Sequence, residues 1–215
     1  MAQNEIEGSF EVGTPVWSPI SAKASLRLQR TWASRGAEYL ETVAESAGMT
    51  PAEIEVTAES DERRIDLLVT VGTRVQQVSD PDYRDALARL VGAAFEDEAR
   101  IDESTMIAEE LLALGPAHLR VLRYLDRMRT LPTSHRGRYR PESPDEIAKY
   151  FDLSLVAVIA ILDRLVAAGF VRHTANVEIT TERNEYDDPI YEDRARRIWT
   201  VTPWGTQALA ACGQS

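Results

Sequence analysis

The sequence predicts a mainly α-helical protein, a helical bundle followed by an α+β unit that carries a two-stranded hairpin. Three observations predict it. Proline follows a capping residue or a glycine at Thr50-Pro51, Asp80-Pro81, Gly115-Pro116 and Ser143-Pro144, the place where a helix tolerates a residue without an N–H. Apolar residues recur at helical spacing, most clearly Tyr83, Leu87, Leu90, Val91 and Phe95, which marks a helix with one buried face. Strand-like alternation is confined to late stretches, the extended Phe170–His173 and Ile198–Thr202.

Taken in order, residues 1–19 hold Gly8, Gly13, Pro15 and Pro19 without a helical period and read as a flexible arm. Residues 20–113 read as an acidic helical region of four helices with short connections. The first runs from about Ser21 to Glu45 and ends near Gly48. The second opens at Thr50-Pro51-Ala52-Glu53, where Thr50 caps and Glu53 is placed to complete a capping box. It carries Ile54, Ile65, Leu68, Val69, Val71 and Val75 and runs to about Gln77, with Gly72 the weak point in its continuity. Ser79-Asp80-Pro81-Asp82 starts the third, and Ile101 to Leu114, closed by Gly115, is the fourth.

Residues 114–215 follow a different plan. A helix from Ala117 to about Arg129 buries Leu119, Val121, Leu122 and Leu125, and a polar loop, Thr130 to Pro141, follows it. Ser143 caps a short helix with Ile147, Ala148 and Tyr150 inward. Asp152-Leu153-Ser154 is a turn, and Ser154 caps the next helix, Leu155 to Ala168. Gly169 stops that helix, a hairpin follows, and Pro203 to Leu209 returns to helix. Trp199 and Trp204, with the other two tryptophans, are assigned to the core of this unit and its junction with the bundle. This stretch, SPDEIAKYFDLSLVAVIAILDRLVAAGFVRH…RIWTVTPWGTQAL, resembles the winged helix-turn-helix of MarR- and PadR-type bacterial transcriptional regulators. Thr202-Pro203-Trp204-Gly205 matches the entry to the last helix in those families. The resemblance implies a winged-helix domain with a two-stranded wing, and it implies that the helix from Ser154 lies in the DNA major groove.

Charge separates the same two regions. The chain of 215 residues has a net charge of −11. Residues 1–112 hold 10 basic against 22 acidic side chains, and residues 113–215 hold 14 against 13. An acidic bundle repels phosphate, so local basic groups in the second region must supply any nucleic-acid contact. Candidates are Arg136, Arg138 and Arg140 in the loop, Lys149, Arg172, and Arg194, Arg196 and Arg197 in the hairpin. Arg120, Arg123 and Arg127 share a helix face and serve either phosphate or the acidic bundle alongside.

The helix from Ser154 turns Val158, Ile161, Leu162 and Leu165 to the core. Its opposite side carries Val156, Ala160, Asp163 and Ala167, with Ile159 on the flank and Leu155 beside it. Base edges are read by Arg, Lys, Asn, Gln, Ser or Thr, and this side offers almost none, because Ser154 is spent as a cap. The acidic segment Glu178–Asp193 at the hairpin tip reads as solvated, or as a surface for a basic partner, rather than as a calcium loop.

No catalytic, metal or cofactor motif appears. His118, His135 and His173 are isolated and read as surface or capping residues, and the single Cys212 lies on an apolar helix where packing explains it. No run of about 18 apolar residues is present, and MAQNEIEGSF lacks a signal-peptide pattern. A cytoplasmic, non-enzymatic protein with no membrane attachment is expected.

Two functions of different class follow. One is a transcriptional regulator, a homodimer through its helical half, that grips double-stranded DNA mainly by its backbone. The other is a protein-interaction module that turns the Leu155, Val156 and Ile159 side towards a protein partner.

Overall fold

The computed structural model describes residues 22–130, 143–183 and 189–213. The arm 1–19 and most of the polar loop that follows Thr130 lie outside them. Within them the protein is mainly helical, with one two-stranded antiparallel sheet.

Helix α1 spans Ala22–Ala47, and Gly48 turns the chain with φ +65°. The capping box then forms as the residue types require. The Glu53 amide donates to Thr50 Oγ1 at 3.3 Å, and the Thr50 amide donates to Glu53 Oε2 at 2.8 Å. These bonds start α2, Pro51–Glu59. The single helix expected over 51–77 is in fact two. Asp61 takes an extended backbone, φ −148°, and its side chain accepts the Arg63 amide, so a second N-terminus begins α3, Glu62–Gln77. Leu67, Val71 and Val75 are buried in α3, whereas Ile65 and Val69 are exposed. Ile65 and Val69 each lie two residues, about 200° of helix, from a buried position. Gly72 does not interrupt α3. A Cβ there would stand 3.0 Å from the Tyr39 ring, so glycine is what lets α1 and α3 approach.

Helix α4, Pro81–Glu96, is capped by Asp80, whose Oδ1 accepts the Tyr83 amide at 3.0 Å. It is the centre of the bundle, buried almost without interruption from Ala86 to Phe95. Gly92 permits this, since a Cβ would meet the Ser46 side chain at 2.5 Å. A 3₁₀ turn, Glu98–Arg100, leads into α5, Ile101–Leu114, which ends on Gly115 with φ +86°.

Helix α6, Pro116–Thr130, opens the second region. Helices α7, Pro144–Phe151, and α8, Leu155–Ala167, meet at a short turn in which Asp152 adopts φ +52°. Ser143 occupies the N-cap position of α7 in extended conformation, but its side chain makes no capping hydrogen bond. Ser154 does cap α8, accepting the Ala157 amide at 3.2 Å. Gly169 (φ +75°) ends α8, with the Phe170 amide returning to the Leu165 carbonyl at 3.0 Å.

Strands β1, Val171–Arg183, and β2, Pro189–Val201, pair in unbroken register from Val171↔Val201 to Arg183↔Pro189. At roughly 3.3 Å per residue, thirteen paired positions make a ribbon about 40 Å long. Thr202 then caps the last helix, α9, Pro203–Ala211. Its hydroxyl donates to the Gly169 carbonyl at 2.7 Å, and the same oxygen accepts the Gly205 amide at 3.0 Å. Gly205 sits so close to the Phe170 carbonyl that a side chain has no room. Helix α9 packs back on α4 and α6, and the buried residues from Tyr39 to Cys212 form one continuous cluster.

Trp199 is buried within this cluster, and Trp204 stacks on Phe170 with ring centroids 6.2 Å apart. Trp32 departs from the expectation for the tryptophans. It lies on the exposed side of α1, 42% accessible. No helix among the described residues is long and apolar enough to cross a membrane.

Candidate functional site

Helix α8 is apolar on its outer side as well as its inner one, and among the described residues the outer side is exposed. Val158, Ile161, Leu162 and Leu165 are buried against α6 and β1. Val156 is 77% accessible and Ile159 42%, with Ala160, Asp163 and Ala167 also exposed. Leu153 in the turn and Leu155 at the start of α8 extend the apolar patch.

Tyr150 belongs to this patch rather than to the core. It is 60% accessible, its ring 4.4 Å from that of Tyr124. Phe151, four residues from Ile147, takes the inward position instead and meets Tyr124 edge-on at 5.4 Å. Tyr150, Leu153, Leu155, Val156 and Ile159 are thus exposed apolar groups within ten positions, from the end of α7 to the second turn of α8. Soluble surfaces seldom leave such a patch without a partner.

Basic residues lie on the neighbouring elements. Lys149 on α7 and Arg172 at the start of β1 are both exposed. The Arg172 Nε donates to Thr200 Oγ1 at 3.4 Å across the ribbon, which holds the guanidinium near the helical end of the hairpin. Arg194, Arg196 and Arg197 fall in β2, opposite Glu178, Asn176 and Ala175. Arg136, Arg138 and Arg140 lie outside the described residues. Ser154 is exposed, but its oxygen lone pair is engaged by the Ala157 amide.

Of the three helix arginines on α6, Arg120 is exposed, whereas Arg123 is half-buried beside Cys212. Burial pushes the Cys212 thiol up to about 12, with Arg123 pulling it down and Asp85 pushing it further up. The thiol is therefore protonated and unreactive at neutral pH.

Arg164, which sequence reasoning passed over, joins the halves, and His118 beside it is half-buried rather than the surface residue expected. Arg164 of α8 donates from Nη2 to the Ala113 carbonyl at the end of α5, 2.7 Å away. His118, near the start of α6, is half-buried and held below the usual imidazole range by burial and by the Arg164 charge. Arg164 and Ala113 are 51 positions apart, and no local pattern links them.

No protein-family model, curated protein or solved structure matches this chain.

Proposed function

We infer that the second region is a winged-helix domain and that the protein is a transcriptional regulator that grips double-stranded DNA mainly by its backbone. The order of elements supports the reading: two helices at a tight turn, an antiparallel ribbon, and a last helix capped by Thr202. In such a domain α8 is the element presented to the major groove. The observation that carries the proposal is that the outer side of α8 is exposed among the described residues, as are Lys149 on the helix before it and Arg172 on the strand after it. Arg194, Arg196 and Arg197 continue the basic character along β2. The side chains on the outer surface of α8 are apolar, so phosphate contacts supply affinity and base discrimination is weak.

Fluorescence anisotropy with random duplex DNA across a salt series tests this. The slope of log affinity against log salt is about −0.9 for each phosphate neutralised. Joint replacement of Arg136, Arg138 and Arg140 by Ala flattens it. No binding at low salt overturns the proposal.

The apolar patch from Tyr150 to Ile159 favours a second reading, docking of a protein partner on the same scaffold. Under that reading Ile159→Asp removes a captured partner while DNA plays no part, and unchanged capture counts against it. A homodimer through the helical half is part of the first reading, checked by light scattering.

A further inference from the structure

Helices α3 and α5 enclose a groove of about 470 Å³ that neither reading above uses. Its floor is apolar, built from Leu67, Val71, Ala108 and Leu112. Met106, a flexible thioether side chain, also lines it with 59% of its surface accessible. This size and lining suit a small organic molecule.

The rim decides the charge of that molecule. Among the described residues Arg63 is the one cation that lines the groove, and three carboxylates already pair with it: Asp61 at 2.9 Å, Asp102 at 3.3 Å and Glu98 at 3.6 Å. Asp66 and Glu109 also line the groove, and neither has a cationic partner among the described residues. Three carboxylates, Asp66, Asp102 and Glu109, thus line the groove against one guanidinium that is already paired. An anionic or strongly polar occupant would be repelled or left unpaired there, whereas an apolar cation satisfies both floor and rim.

We propose that the α3–α5 groove binds a small organic cation, an aromatic or aliphatic body seated against Met106 and Leu112 with its ammonium towards Asp66 and Glu109. The proposal is independent of DNA binding.

Three naphthalene probes of like shape test it on the full-length protein: 1-naphthylmethylamine, 1-naphthoate and neutral 1-naphthalenemethanol, titrated by calorimetry in the absence of DNA. The ammonium probe binds about ten-fold tighter than the carboxylate, the ratio that 1.4 kcal/mol of differential interaction gives. The double variant D66N/E109Q brings the probes to nearly equal affinity. Thr70→Trp, a change at an exposed position on the groove wall, blocks all three. Equal binding of ammonium and carboxylate by the native protein overturns the proposal. So does a preference that survives D66N/E109Q, or no saturable binding of the ammonium probe at millimolar concentration.

Discussion

The guanidinium of Arg164 holds the carbonyl of Ala113 across 2.7 Å, so the helix with the exposed apolar side is fastened to the last turn of the bundle. The bond serves two needs at once. It satisfies a carbonyl that the end of α5 leaves without an intrahelical donor, and it places a cation against the negative end of that helix. Arg164→Ala is expected to lower stability by about 1 kcal/mol, the value of a charge-assisted bond discounted for its exposure to water. Urea denaturation checks it, and an unchanged midpoint would show that the clamp contributes nothing.

His118 makes stability depend on pH in a defined direction. Its imidazole is held below the ordinary value of 6.5, first by burial and then by Arg164. The unfolded chain therefore binds a proton more readily than the folded one, and stability falls as pH drops below about 6.5. His118→Gln is expected to flatten the stability profile between neutral and mildly acidic pH. Arg164→Met is expected to raise the His118 pKa, read directly by NMR titration.

Cys212 is expected to resist alkylation. With its thiol buried and pushed up to about 12, the reactive thiolate is scarce at pH 8. Iodoacetamide then labels the native protein only as fast as the terminal helix opens, and added urea accelerates the labelling. Immediate stoichiometric labelling would contradict the burial.

Gly205→Ala tests the junction between hairpin and last helix. The added methyl collides with the Phe170 carbonyl and with Val201, and backbone cannot yield as a flexible side chain would. A loss of about 3 kcal/mol is expected, at the upper end for overpacking. Thermal unfolding measures it.

Binding and folding separate on α8. Val156 is 77% accessible, so Val156→Asp is expected to change stability by less than about 0.5 kcal/mol. The added negative charge would weaken duplex binding under the first reading and partner capture under the second. Arg172→Ala distinguishes the two, since it is expected to reduce the salt slope by about 0.9 if one phosphate contact is lost. An unaltered slope removes Arg172 from the interface.

Much of this was legible in local signals. Thr50, Asp80, Ser154 and Thr202 each announce a helix start, and each accepts an amide as an N-cap should. The inward positions of α8 follow from spacing alone. Asp61 is the exception: beside two glutamates and two arginines, no local pattern marks it as a second cap. Tyr150 misled for a related reason, because an aromatic next to Ile147 and Ala148 reads as core until Phe151 is seen to fill that place.

What the sequence determined by itself is the set of helices and their caps, because capping and amphipathic period act over three or four residues. Tertiary structure alone decided the Arg164–Ala113 clamp, the glycine approaches of Gly92 to Ser46 and Gly205 to Phe170, and the acidic α3–α5 groove. Each joins residues dozens of positions apart or on separate helices. Their meeting depends on how the whole core packs, and no short stretch of chain encodes it.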